Sequence, residues 1–266
     1  MDQKMTDGKR KTEPCNGSIL RACAILDFFT VEENRWSLKD IAKKCGISST
    51  TAIPVLRALE VSGYLERDPE TKLYSLGIKL LEKSQVKLNS LNVIDCAAPV
   101  LRELSRGYSV NSHLARLDAG DVIYLARYEA VVHSLSPSYV GKRIPAYCSS
   151  LGKAILAYMN REDVRMILEN THFKRFTPHT MTDPETVLSD LSKTVGRGYA
   201  IDDEEYQPGG YCVAVPVFDA MGTVCASVSC SMTKGEETEQ RLPGLITALK
   251  QAGREISAAM GYGTKR

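Results

Sequence analysis

Apolar residues with helical spacing dominate the first part of the chain after a polar start. Residues 1–16 are polar throughout, which predicts a disordered tail. From 19 to 29 apolar residues recur with a period near 3.6, and Ser18 is the expected N-cap of that helix. Ser37 and Asp40 stand three residues apart, which is the capping-box pattern. A second helix is therefore predicted to begin after Ser37.

The second and third helices are separated by a tight glycine turn. Gly46 is predicted to end the second helix. The hydroxyl-rich segment 47–51 is predicted to begin the third helix, and Gly63 is predicted to end that helix. Two short runs of β-type residues, 64–67 and 73–76, then flank a turn segment. Three helices followed by a hairpin, with a tight turn before the third helix, predict a winged helix-turn-helix.

Later in the chain the hydrophobic period changes from 3.6 to two. An amphipathic segment at 77–89 and a helix near 93–106 precede this change. The alternating runs 113–117 and 122–126 flank a hairpin turn at 118–121. Further strands are predicted at 131–140, 211–218 and 223–231, and further helices at 151–159, 162–170, 184–195 and 237–260. This part is therefore predicted to be α+β with antiparallel strand pairs.

The changes of pattern divide the chain into four predicted parts. They are a tail at 1–16, a winged helix-turn-helix at 17–76, a linker helix at 77–91 and an α+β domain at 92–266.

The composition is that of an ordinary globular protein, with 43% hydrophobic and 25% charged residues and a net charge of +2. No apolar run approaches the roughly 20 residues that span a bilayer, and the N-terminus lacks the apolar core of a secretory signal. We therefore expect a cytoplasmic protein with no membrane partner. The eight cysteines include no C-x-x-C pair and the four histidines are scattered, so neither a metal nor another cofactor is expected.

Ordered sequence motifs along nearly the whole chain carry a family resemblance. They include LRA at 20–22 and GYL at 63–65, and the more specific ones lie in the C-terminal part: GKRIP at 141–145, SLGKA at 150–154 and RGYAIDDEE at 197–205. With these motifs the chain resembles the IclR family of bacterial transcription regulators. The stretches 168–177 and 256–262 resemble the KdgR-like branch that responds to sugar acids.

The resemblance implies a fold, a function and a set of partners. It implies an N-terminal winged helix-turn-helix followed by a GAF-like effector-binding domain. It also implies a homo-oligomer, either a dimer or a dimer of dimers, that binds palindromic double-stranded operator DNA and a small carboxylate effector. The effector, the target genes and the sign of regulation stay open.

The third helix departs from the family pattern. Ile53 and Pro54 stand where relatives usually place a basic or polar pair, and residues 47–56 contain no Lys or Arg. Because an interior proline costs a hydrogen bond, we expect this helix to start late, with Thr51 as cap, or to kink. The candidate DNA contacts are Lys39, Ser48, Ser49, Thr50, Thr51 and Arg57. The alternatives are that the hydroxyls only cap a turn and that the lysines form a solvated face.

The effector site is expected in the second domain. The helix that begins near Ser150 offers free amides and a positive dipole end to an anion. Ser229 and Ser231 alternate along a strand and so face one side. Together with the resemblance, this gives the candidate effector residues Ser150, Leu151, Gly152, Asp202, Cys212, Ser229 and Ser231. The alternatives are Cys212 as core filler, Asp202 as a cap and the serines as ordinary strand residues.

Two other function classes compete with a DNA-binding regulator. Ser150 and Lys153 match the S-x-x-K motif of penicillin-recognising enzymes, but the S-D-N and K-T-G partners of that motif are missing, so no catalysis is expected. The other class is a ligand sensor that acts through protein partners without sequence-specific DNA binding. Its only support is the departure of the third helix from the family pattern, namely Pro54 and the lack of basic residues near it.

Overall fold

A computed structural model describes residues 17–130 and 138–263, with the side chains of 236–239 left aside. The chain divides into two compact units, residues 1–89 and residues 90–266. The predicted tail at 1–16 and most of the predicted strand at 131–140 lie outside the described residues.

The first unit is a winged helix-turn-helix. Its elements are α1 (Gly17–Leu26), α2 (Leu38–Lys44), α3 (Ser49–Val61), β1 (Leu65–Arg67), β2 (Tyr74–Leu76) and α4 (Lys79–Asn89). The core is formed by one apolar face from each of the first three helices and from the hairpin, including Ile25, Ile41, Leu56 and Leu65. Ser37 is confirmed as the N-cap of α2: its hydroxyl accepts a hydrogen bond from the Asp40 amide at 3.2 Å and donates to Asp40 Oδ2 at 2.6 Å. Ser18 lies inside α1 and is not its N-cap.

The prediction of a late start for α3 is wrong. Ser48, not Thr51, caps this helix: the Ser48 hydroxyl accepts from the Thr51 amide at 3.2 Å and also bonds the Thr51 hydroxyl at 2.8 Å. Pro54 therefore lies inside the helix, where it has no N–H to donate to the Thr50 carbonyl. An interior proline costs roughly 3 kcal/mol. Pro54 and its neighbour Ile53 are nevertheless solvent-exposed, so neither contributes to the core.

The second unit is built around one antiparallel sheet. Its elements are α5 (Asn92–Tyr108), β3 (Asn111–Asp118), β4 (Asp121–Tyr128), β5 (Arg143–Pro145), a 3-10 turn (Ala146–Cys148), α6 (Ser150–Leu156), α7 (Arg161–Glu169), α8 (Pro184–Arg197), β6 (Ala200–Asp203), β7 (Gly210–Phe218), β8 (Val224–Thr233) and α9 (Glu236–Ala259). The strand order is β5-β4-β3-β8-β7-β6, with every neighbouring pair antiparallel. The predicted fold class, a winged helix-turn-helix followed by an α+β domain, is confirmed.

The two faces of this sheet bury different layers. One face packs against α5 and α9. The other packs against the 3-10 turn, α6, α7 and α8. Strand β8 alternates accordingly: Val228 and Cys230 belong to the α5–α9 core, while Ser229 and Ser231 point to the opposite side. The strand alternation predicted for the two serines is therefore confirmed.

A buried lysine ties the helical layer to the sheet. The Lys153 side chain on α6 is 1% exposed, and its ammonium contacts the Glu205 carboxylate and, at 2.9 Å, Asp190 Oδ2 on α8. Asp190 Oδ1 is 3.6 Å from the Arg197 guanidinium. Burial raises the pKa of the Glu205 carboxyl, and the positive charge of Lys153 opposes this shift. We call these four residues the Lys153 clamp.

Replacing the central lysine tests the clamp. Lys153→Met keeps an unbranched side chain of nearly the same length but leaves two carboxylates without their buried cation. We expect the second unit to lose about 3–5 kcal/mol of its free energy of unfolding, as removal of one partner from a buried ion pair does. Urea unfolding of the full chain, followed by circular dichroism, measures this loss.

Two controls accompany that experiment. Lys193→Met on the exposed side of α8 should leave the unfolding midpoint within experimental error. The fluorescence of Trp36, the one tryptophan of the chain, reports on the first unit and should be unchanged in both variants. Equal stability of wild type and Lys153→Met would show that the clamp does not hold the unit together.

Candidate functional site

A cavity of about 330 Å³ opens on the sheet face that carries Ser229 and Ser231. Of the seven predicted effector residues, six line it: Ser150, Leu151, Asp202, Cys212, Ser229 and Ser231. The pairing of the strands explains why they meet. Ser231 is opposite Cys212 on β7, and Cys212 is in turn opposite Asp202 on β6.

Gly152 is the predicted effector residue that does not line the cavity. Its amide donates to the Ser149 hydroxyl at 3.1 Å, so Ser149 caps α6 and uses one of the amides expected to meet an anion. A Cβ at Gly152 would lie 2.2 Å from the Ala146 Cα. Close packing of α6 on the 3-10 turn therefore explains this glycine.

Asp202 lines the cavity and also caps a turn. Its Oδ1 accepts from the Glu205 amide at 2.8 Å and from the Tyr206 amide at 3.4 Å. Burial and the nearby charge of Glu205 raise the pKa of Asp202 to about 7, against the lowering effect of the amide hydrogen bonds and of Lys153. The carboxyl is therefore divided between its neutral and ionised forms at neutral pH.

His113 also lines the cavity and is not among the residues predicted from the sequence. Its Nε2 lies 3.0 Å from the Ser138 hydroxyl, and its ring meets that of Tyr124 edge-on with centroids 5.1 Å apart. Burial, reinforced by the charges of Arg127 and Lys142, lowers the pKa of His113 to about 4. The imidazole is neutral at physiological pH and offers one donor and one acceptor. The sequence pattern places His113 in the predicted strand 113–117. It does not show which face of that strand borders a cavity.

Two cations that sequence reasoning did not single out also line the cavity. Lys142 comes from the turn before β5, and its ammonium lies 5.8 Å from the centre of the Tyr206 ring. Arg241 comes from the first part of α9, where its guanidinium donates to the Tyr108 carbonyl. Hydrophobic periodicity predicts neither residue as part of the cavity, because Lys142 is in a loop and Arg241 is an exposed residue of a helix.

The candidate DNA contacts lie in the first unit, and all of them are exposed: Lys39, Ser48, Ser49, Thr50, Thr51 and Arg57. The Ser48 hydroxyl is engaged locally, with the Thr50 hydroxyl at 2.7 Å as well as with Thr51. The capping alternative therefore describes Ser48. Arg57 supplies the one positive charge in the sequence of α3.

Within residues 17–130 and 138–263, no helix is both long and apolar enough to cross a membrane. Over the same residues, no three His, Cys, Asp or Glu side chains are grouped to hold a metal ion.

Comparison with known proteins identifies the family. The family model described as "IclR helix-turn-helix domain" matches residues 18–69, and "Bacterial transcriptional regulator IclR C-terminal" matches residues 85–258. The HTH-type transcriptional regulator XynR of Escherichia coli K12 is 33% identical over 94% of this chain and 99% of its own length. The HTH-type transcriptional regulator KdgR of the same strain is 34% identical over 92% of this chain and 93% of its own length.

A solved structure agrees with these matches. The crystal structure of the Thermotoga maritima IclR superposes with a TM-score of 0.75 at 31% identity, covering 92% of this chain and 99% of that one. The relatives are regulators and not enzymes. The chain belongs to the IclR family and is a DNA-binding transcriptional regulator with a C-terminal effector-binding domain.

Proposed function

We propose that the cavity of the second unit binds a small anionic carboxylate, a sugar acid or a keto acid, and that this ligand regulates operator binding. The observation that carries the proposal is the chemistry of the cavity wall, which combines two cations, Lys142 and Arg241, with the hydroxyl side chains of Ser150, Ser229 and Ser231. Cations suit a carboxylate, and hydroxyls suit a polyhydroxylated chain. The volume of about 330 Å³ suits a small ligand.

The charged groups of the wall give the ligand an orientation. Its carboxylate meets the cations, because placing it against Asp202 would bring two like charges together. Asp202 accepts from hydroxyl groups of the ligand. The neutral His113 adds one donor or acceptor between these ends.

We further propose that the protein binds a pseudo-palindromic operator as a dimer or a dimer of dimers. Two-fold proteins match two-fold sites. The first unit exposes several large apolar side chains on α1 and at α4, which has no buried residue of its own: Ile19, Leu20, Ile78, Leu81 and Val86. A second copy of the chain is the partner that would cover them. A bacterial DNA-binding regulator acts where the DNA is, so we place this protein in the cytoplasm.

Binding to the operator should weaken steeply with salt. Contacts of Lys39, Arg57 and other basic side chains with phosphates release counterions, so the logarithm of the affinity falls linearly with the logarithm of the salt concentration. A gel-shift series on the protein's own upstream region measures the slope. Affinity that persists across a roughly fourfold rise in salt would contradict phosphate-dominated binding. An absence of specific binding would favour a sensor that acts through protein partners.

Pro54→Arg should leave the fold intact and tighten DNA binding, with a changed sequence preference. The residue is exposed near the start of α3, and arginine restores both a helical N–H and a positive charge. The matched control is Val61→Arg, which adds the same charge at the far end of α3, where Val61 is 82% exposed. An unchanged affinity and unchanged operator selection for Pro54→Arg would show that this position does not reach DNA.

Calorimetry with a panel of sugar acids and keto acids tests the ligand class. At pH 6, where Asp202 is mostly neutral, wild type should bind at least one of them, and Ser229→Ala and Asp202→Ala should each bind it more weakly, because each variant loses a hydrogen bond from a buried wall. A regulatory ligand that proves neutral or cationic, or that binds both variants as tightly as wild type, would contradict the site. A carboxylate that binds but leaves operator affinity unchanged would keep the site and contradict the regulation.

The affinity for such a carboxylate should fall as the pH rises through about 7. The pKa of Asp202 is about 7 in the free protein, so this carboxyl becomes negative in that range and repels an anionic ligand. Asp202→Asn should remove the pH dependence. Asp203→Asn is the control that should keep it, since Asp203 pairs with Lys234 at 2.7 Å and does not line the cavity. A wild-type affinity that is constant from pH 6 to 8 would contradict this role of Asp202.

A further inference from the structure

The second turn of α3 exposes apolar side chains where a DNA-reading helix commonly carries arginine. Ile53 is 46% exposed and Pro54 lies beside it, also exposed. We propose that these two side chains read thymine methyl groups in the major groove, so that each operator half-site carries A·T pairs where the second turn of α3 enters. The inference rests on the proposed DNA contacts of α3.

The helical periodicity of α3 keeps this apolar pair out of the core and exposes it to solvent. Ala52, Leu56 and Leu59 are the buried residues of the helix. Ile53 and Pro54 lie in its second turn, and the N-terminal residues of a recognition helix are those that contact base edges. The pair lies within residues 18–69, which match the helix-turn-helix family model, and beside the DNA contacts proposed for α3.

A proline inside a helix lowers the stability of that helix. Burial of the ring does not offset this loss here, because Pro54 is exposed. The ring of Pro54 offers only carbon atoms to the outside, as does the side chain of Ile53. A surface of this kind is complementary to an apolar group on the DNA. In the major groove the C5-methyl of thymine is the apolar group by which one base is distinguished from the others.

The polar groups near this pair are poorly placed to do the reading instead. At the helix start the Ser48 hydroxyl bonds the Thr50 hydroxyl at 2.7 Å and the Thr51 hydroxyl at 2.8 Å, so three of the four hydroxyls there are engaged locally, while Ser49 is exposed. Arg57, the one cation of α3, lies one turn after Ile53 and is left to contact a guanine or a phosphate. Hydrogen-bond readout at the first turns of α3 is therefore limited, and methyl contacts supply the discrimination.

The experiment begins with in vitro selection of binding sites by the full-length protein from random duplex DNA. Each conserved thymine of the selected half-site is then replaced by deoxyuridine, which removes only the methyl group. At one or two positions the affinity should fall about fourfold, the equivalent of roughly 0.8 kcal/mol for one buried methyl.

A double-mutant cycle assigns the methyl contact to this pair. Ile53→Ala should weaken binding to the thymine site and abolish the difference between thymine and deoxyuridine at one position. Val61→Ala is the control, since Val61 is an exposed aliphatic residue at the other end of the same helix. This variant should keep the full thymine preference.

The outcomes separate the inference from the proposed function. Selected sites without a conserved thymine, or equal affinity for thymine and deoxyuridine at every position, would overturn methyl readout. A thymine preference that survives in both Ile53→Ala and Pro54→Ala would overturn its assignment to these residues. A protein that selects no sequence at all would contradict the proposed operator contacts themselves.

Discussion

The effector-binding unit depends on the buried ion pairs that the Lys153 ammonium makes with two carboxylates. The ammonium is almost completely buried between the carboxylates of Glu205 and Asp190, and so it joins α6, the turn after β6 and α8. A buried charge must be paired, because removing it from water costs several kcal/mol per ion. The clamp therefore fixes the position of the 205–206 turn relative to α6. That turn donates the amides that hold Asp202 at the cavity wall.

The electrostatics of the cavity follow from this arrangement. Lys153 is committed to Glu205 and Asp190, so Asp202 does not receive a cation of its own from the clamp, and burial leaves the pKa of Asp202 near neutrality. Lys142 and Arg241 approach from other parts of the unit. The cavity thus has positive groups that can hold an anion and a carboxyl that can be neutral when the anion arrives.

Sequence periodicity was sufficient to predict the architecture. It did not predict the start of α3, which depends on competing local hydrogen bonds, or the shortest strands. The capping box at Ser37 and the glycine that follows α2 marked that helix correctly, since both are local chemistry. The predicted start of α3 lies three residues too late, because the cost of a helical proline favours a cap at Thr51, whereas Ser48 and its hydroxyl partners form the cap. Strands β5 and β6 have three and four residues and are too short for alternation to identify.

The candidate site was only partly accessible from the sequence for a related reason. Ser229, Ser231 and Asp202 could be found from alternation and from family motifs. Lys153 could be seen only as part of a motif, because the two carboxylates that explain it are 37 and 52 residues away along the chain. Contacts at such separations depend on the fold and have no local signature.

The central claim is that one carboxylate-binding cavity regulates one DNA-binding surface, and thermodynamic linkage makes that claim measurable. The most direct measurement is the dissociation constant of the tightest-binding sugar acid, determined by calorimetry with and without saturating operator DNA. The account predicts that operator changes this constant by a factor between about 5 and 150, and that the sugar acid changes the operator affinity by the same factor. Equal constants with and without DNA, for a ligand that binds and an operator that binds, would contradict the account.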